Sequence, residues 1–184
     1  MNKTRLTILP ILGVFFALFF GWSTSFGQAA AKLEAQFNEI LALPAGSVFT
    51  LTVSDDEITE AANEYLDRYT DEIVEMIRET AGVKLDVSHP VIEFKTDDAT
   101  ASIRVGKGFL KVTASIRASV VWENDTLVVD VKSVDIPTIS VDPATVNSYI
   151  QGPVNSGVNE LKKYLEIYSF SVSDGYIQLE AMKK

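Results

Sequence analysis

Between Phe109 and Glu123 the chain alternates: Leu110, Val112, Ala114, Ile116, Ala118, Val120 and Trp122 fall on one side, Lys111, Thr113, Ser115, Arg117 and Ser119 on the other. A period of two places one set on one face of a β-strand and the other set on the opposite face. A strand of about 14 residues at about 3.3 Å each is about 45 Å long, where five or six residues are usual. The rest of the chain must therefore cover one apolar face along that whole length.

Strand partners are close at hand. Asn124-Asp125 is a turn signal, and "TLVVDVKSV" after it returns with Leu127, Val129 and Val131 as its inward set, which predicts a long antiparallel hairpin. Upstream, "VKLDV", "VIEFK" and "ASIRV" repeat the period of two, with Asp97-Asp98 and Gly106-Lys107-Gly108 as turns and His89-Pro90 as a bend between strands. "EIYSFSV", Asp174-Gly175 and "YIQLEAM" predict a closing hairpin, and Val48 to Val53 an opening strand.

Two segments have helical spacing instead. Leu51 to Thr80 holds ten carboxylates against Arg68 and Arg78. Ser54 and Glu57 fit a capping box, with Val53 and Ile58 as its hydrophobic staple. Ile58, Ala62, Tyr65, Leu66, Tyr69, Ile73, Met76 and Ile77 then form one stripe as far as Gly82, while Glu57, Glu60, Glu64, Asp67, Asp71, Glu75 and Arg78 fall opposite. The acids are the solvated side of a helix about 40 Å long. "SDDEITE" lacks the alternating ligands and central Gly of an EF-hand loop, so no metal site is expected there. The second helix follows Asp142 as N-cap and Pro143 at its first position, with Val141 and Val146 as staple; Gly152-Pro153 is expected to kink or split it.

The chain of 184 residues, 47% hydrophobic, suits one domain of α+β class: a long curved antiparallel β-sheet of about seven or eight strands, arranged as a meander and wrapped around two long helices. Seven strands span about 34 Å and two helices about 20 Å, which implies either a sheet that curls shut or an apolar slot.

Lys3 and Arg5 precede the apolar run "LTILPILGVFFALFFGW", and the small, polar stretch "STSFGQAAA" follows it. Residues 1–29 are thus expected to be a signal peptide or an N-terminal membrane anchor; small-x-small cleavage sites fit the first and an apolar run of about 17 residues fits the second. Residues 30–46 read as a helical stalk or linker with Leu33, Phe37, Ile40 and Leu41 on one stripe, and residues 47–184 as the single domain. The expected location is outside the cytoplasm: the outer face of the cytoplasmic membrane, the periplasm or the extracellular space. A net charge of −9 repels a phosphate backbone, so nucleic acid is not an expected partner. Without Lys3 and Arg5 the charge falls to −11, which disfavours broad electrostatic adsorption to anionic lipid and leaves apolar or anchored membrane contact.

The layout resembles the exported or membrane-anchored LmeA-like and YpmS-like proteins, single modules of the tubular lipid-binding (TULIP) type. The residues that carry this are the strand and acidic capped helix "FTLTVSDDEIT", the meander, the Pro-containing exit "VDIPTI" before the second helix, and the closing hairpin "SVSDGYIQLEA", together covering about Val48 to Met182. Asp135 departs from the pattern, where such proteins often place Gly. The resemblance implies binding of a phospholipid or similar amphiphile, with no catalytic residues to carry over. From the residues themselves, Tyr65, Tyr69, Met76, Ala114, Ala118, Val120 and Trp122 are the candidate lining of an acyl-chain groove, in which small side chains leave space and Met adapts to a flexible ligand. Ala118→Trp is then expected to block uptake with the fold intact. Ordinary core packing of the same residues is the alternative, and it accompanies a second function: an envelope module that presents its acidic helix or a sheet edge to a protein partner.

Catalysis has little to stand on. His89 is the one histidine, no cysteine is present, and no G-x-S-x-G, H-E-x-x-H or P-loop pattern occurs. No enzyme, catalytic residue, metal or cofactor is expected.

Overall fold

The computed structural model describes residues 31–81, 84–137 and 140–184. Helix α1 (Ala31–Ala42) leads to strand β1 (Val48–Ser54), helix α2 (Asp55–Ala81), a meander of β2 (Asp86–Lys95), β3 (Asp98–Lys107), β4 (Leu110–Glu123) and β5 (Thr126–Asp135), helix α3 (Pro143–Leu161), and the hairpin β6 (Leu165–Ser173) and β7 (Tyr176–Lys183).

The fold is α+β with seven antiparallel strands among the described residues, and they do not form one sheet. β2-β3-β4-β5 make a four-stranded sheet and β1-β7-β6 a three-stranded one. The reason lies at the edges of the larger sheet. Along β2, the Thr59 hydroxyl accepts from the Ile92 N–H at 2.9 Å and sits 3.3 Å from the Ile92 carbonyl, Asn63 Nδ2 donates to the Pro90 carbonyl at 3.2 Å, and the Phe94 N–H donates to Asp55 Oδ2 at 3.4 Å. Along β5, Asn147 Oδ1 accepts from the Val131 N–H at 2.7 Å, while the Gln151 amide accepts from Val129 N–H and donates to the Leu127 carbonyl. Edge strands carry outward N–H and C=O groups that any free strand can pair with. Here helix side chains occupy them, so β1, β6 and β7 pair among themselves. Pro90 fits the same scheme, because an outward edge position loses no ladder bond to a missing N–H.

Each helix makes these contacts with residues four apart, Asp55, Thr59 and Asn63 in α2 and Asn147 and Gln151 in α3, where Asn155 one step on accepts from the Gln151 amide and the Thr126 hydroxyl. In each, an apolar row lies one position away: Ile58, Ala62 and Leu66, or Val146, Ile150, Val154 and Val158. Four-residue steps keep each row on one helix face. The apolar rows bury against Phe94, Ala99, Ala101, Ile103, Ala114, Ile116, Ala118, Val129 and Val131 of the larger sheet. Val146 and Val154 are 0% exposed, each burial contributing about 1.5–3 kcal/mol. Cross-strand pairs such as Ala99 with Ala118 and Ala101 with Ile116 continue one apolar surface over the sheet. Four strands span about 19 Å, which two helices of about 10 Å each can cover, so the width mismatch that implied a slot is gone.

The helix starts follow the sequence closely. The Ser54 N–H donates to Glu57 Oε2 at 2.9 Å and the Glu57 N–H to Ser54 Oγ at 3.1 Å, a reciprocal capping box. Asp142 accepts from the Ala144 N–H. The interiors differ from expectation. α3 runs unsplit through Gly152-Pro153, held by Ile150 and Val154 in the core on either side, whereas α2 breaks at Tyr69, whose φ of −110° and ψ of 18° are non-helical. The adjacent Thr70 hydroxyl bonds back to the Leu66 carbonyl, a contact that bends helices. His89-Pro90 does not separate two strands; it is a bulge within β2, with His89 at a φ of 54°.

The two sheets join at one corner: the Gly175 N–H donates to the Phe94 carbonyl, the Thr96 N–H to Asp174 and the Asp97 N–H to the Val172 carbonyl. α1, within the expected stalk or linker, packs Ile40 against Leu165, Ile167, Leu179 and Ala181 of the smaller sheet. The proposed signal or anchor lies outside the described residues, and among the described residues no helix is long and apolar enough to cross a membrane.

Thr59→Val removes a hydroxyl that serves both backbone groups of Ile92 and leaves a part-buried edge N–H without its acceptor. The expected loss is about 1–3 kcal/mol in urea unfolding, against no measurable loss for Ser156→Ala on the exposed side of α3.

Candidate functional site

Six of the seven residues expected to line a groove have described side chains, and these divide between the main core, its flank and the border of a cleft. Ala114, Ala118 and Val120 are buried in the main core, where β4 faces the helices. Tyr65 and Tyr69 pack partly buried against its flank with ring centroids 4.7 Å apart and planes tilted by 41°. Burial, then the neighbouring Tyr69 and the Glu72 carboxylate, push the Tyr65 phenol above its usual pKa. The side chain of Met76 lies outside the described residues. Trp122 borders an open cleft.

That cleft is the seam between the two sheets. Leu51 and Val53 of β1, Ile167 and Phe170 of β6, and Ile177 and Leu179 of β7 form one wall; Trp122 of β4, Leu127 of β5, and Val158 and Leu161 of α3 form the other. Every lining residue is apolar, and the volume is about 70 Å³. Trp122 reaches the seam as the last inward residue of β4, beside Val158 and Leu161 of α3, and it packs against both core clusters.

A cation stands at this seam. Lys162, directly after α3, has its Nζ 5.6 Å from the centre of the Trp122 ring, within cation–π range, and 2.6 Å from Asp125 Oδ2. Asp125 is in the β4–β5 turn, where Asn124 and Asp125 have φ values of 50° and 61°, the pair of positive angles that a type I′ hairpin needs. An apolar slot with a lysine at its side can receive the tail and the anionic head of an amphiphile.

The residues that sequence reasoning missed are therefore Leu127, Val158, Leu161 and Lys162, together with the polar rows that hold the sheet edges. Uncharged Asn, Gln and Thr at four-residue steps beside an apolar row were the available signal for those rows. Among the described residues no cluster of three or more His, Asp or Glu could hold a metal ion. No protein-family model matches this chain, and comparison with curated proteins finds no match.

Ala118 pairs with Ala99 and Val131 and is 7% exposed, so Trp there has no space to occupy. Ala118→Trp is expected to destabilise the domain by about 1–3 kcal/mol or more through overpacking, rather than to block a groove in an intact fold; a thermal melt checks this.

Proposed function

We propose that this domain binds an anionic amphiphile outside the cytoplasm, with the end of its apolar chain in the seam between the two sheets and its head group at Lys162. The observation that carries the reading is the wholly apolar lining of the seam beside a lysine whose present partner, Asp125, is largely exposed. The Asp125 carboxylate is on the open side of a part-covered lysine that also holds the Asp125 backbone carbonyl, so an incoming carboxylate or phosphate can replace the carboxylate while the carbonyl contact stays. The resemblance to tubular lipid-binding modules supports the same ligand class, a phospholipid or similar amphiphile, in a domain whose finer architecture would be a curved sheet around helices.

Volume sets a condition on the reading. Ligand sites commonly span about 300–1,000 Å³, and about 70 Å³ admits only the end of a chain. Taking up more requires the smaller sheet to move from α3. The direct hydrogen bonds at the turn corner leave the rest of the seam apolar, so such a movement hinges there.

The second reading, an envelope protein-interaction module, is favoured by the filled core around Ala114, Ala118 and Val120. Neither reading involves catalysis.

Native mass spectrometry of the chain purified without detergent, then offered oleate and phosphatidylglycerol, separates the two readings. The amphiphile reading expects a bound anionic lipid, lost in Leu161→Trp, which fills the seam from its rim, and weakened several-fold in Lys162→Met. Uptake unchanged in a folded Leu161→Trp variant removes the seam as the site, and a mass free of lipid under all conditions leaves the interaction module.

A further inference from the structure

The β3–β4 hairpin extends beyond the rest of the sheet. β2 pairs with it only up to Gly106, and the ladder to β5 ends at Ser115 with Asp135, so Lys107 to Leu110 project past both neighbours. At this tip Phe109 is 95% exposed and Leu110 70%, and Val112 is also exposed. Isolated exposed apolar residues are common on soluble domains. Two adjacent on a projecting turn, with Val112 exposed two residues behind them, are an apolar point, which needs a separate account.

The tip is also built to a defined shape. A Cβ at Gly106 would lie 2.0 Å from the Leu110 carbonyl oxygen and 2.7 Å from the Lys111 Cα, so the two strands close here at a spacing that only glycine permits. Gly108 takes a φ of 60° in the two-residue turn that places Phe109 at the apex.

Its charge runs against that of the chain. Arg104 to Thr113 contains Arg104, Lys107 and Lys111 and no acid, in a protein of net charge −9. Arg104 and Lys107 are exposed, as is Lys111, which reaches Ser88 Oγ at 3.4 Å. Apolar side chains at the apex with cations just behind them are the arrangement that enters the boundary between lipid head groups and acyl chains. The acidic remainder is repelled by an anionic surface, but screening confines that repulsion to about 8 Å at physiological salt. Lys107 to Leu110 project past β2 and β5, so the tip can touch ahead of both neighbouring strands, with Asp86 behind it opposite Gly106.

We propose that the β3–β4 tip, with Phe109 and Leu110 at its apex and Arg104, Lys107 and Lys111 behind them, is a membrane-contact point that inserts into the interface of an anionic lipid bilayer. This is independent of whether the seam binds a ligand, because the two lie at opposite ends of β4. The acidic face of α2 on a second copy offers matching charge, yet Glu60, Glu64, Asp67, Asp71 and Glu75 there provide no apolar surface for Phe109. The bilayer supplies both.

The absence of cysteine makes the test specific. Full-length chain carrying Phe109→Cys is labelled with an environment-sensitive fluorophore and reconstituted in phosphatidylglycerol–phosphatidylcholine vesicles; Asn124→Cys, about 45 Å away at the other end of β4, is the control. Reconstitution accommodates any insertion of the N-terminal segment, and added vesicles of the same composition offer the tip a second surface. The expected result is a blue shift and protection from acrylamide at position 109 and not at 124, with Lys107→Glu plus Lys111→Glu weakening the interaction with added vesicles about tenfold or more. A label at 109 that stays polar and quenchable with both surfaces present overturns the proposal. So does an equal shift at both positions, which means adsorption without orientation, or a shift at 109 that grows with protein concentration in lipid-free detergent, which means burial against a second copy.

Discussion

The structure depends on hydrogen bonds between helix side chains and the edges of a β-sheet. A four-stranded meander has two edges, each with outward backbone groups that lose water when a helix lies alongside them. An unpartnered buried backbone group costs about 1–3 kcal/mol, so a helix with only apolar side chains facing the edge would be driven off it. The hydroxyl of Thr59 and the amides of Asn63, Asn147 and Gln151 replace that water. Each helix can then turn its adjacent apolar row onto the sheet. Edge satisfaction and core burial are thus coupled through a single residue step along each helix.

The division into two sheets follows. With β2 and β5 taken by helices, the remaining three strands form their own sheet and meet the first through a few bonds around Phe94, Thr96 and Asp97 and through apolar contact elsewhere. Contacts of that kind lack the directional cost of breaking a ladder, so the seam is where the domain separates most readily. It is also where Trp122, Leu127, Val158 and Leu161 face the smaller sheet and where Lys162 lies. The same β4 that carries Trp122 at one end carries the apolar basic tip at the other. A 14-residue strand thus separates two surfaces of unlike chemistry.

Much of this was legible locally. The alternation from Leu110 to Glu123, the turn residues Asn124-Asp125 and Asp174-Gly175, the Ser54–Glu57 box and the Asp142 cap all act within a few residues, and each appears where its local physics places it. Pairing between distant strands is different, because alternation marks a strand's inner face without naming its neighbour. Two sheets and one sheet therefore read alike until the roles of Thr59, Asn63, Asn147 and Gln151 are known. The burial of Ala114 and Ala118 was hidden for a related reason: both are small, but whether small side chains leave space depends on how closely Ala62, Val146 and Val154 approach. At Pro153 the burial of Ile150 and Val154 on either side outweighs the lost N–H, and the break at Tyr69 has no Gly or Pro to announce it.

Amide hydrogen exchange at the two sheet edges tests the central claim most directly. If helix side chains hold those edges, the amides of Ile92, Val129 and Val131 exchange as slowly as the ladder amides of β3 and β4, through global unfolding alone. Rapid exchange at these three under conditions where β3 and β4 stay protected would contradict the account, because it would show water, rather than Thr59, Gln151 and Asn147, on the edges of the sheet.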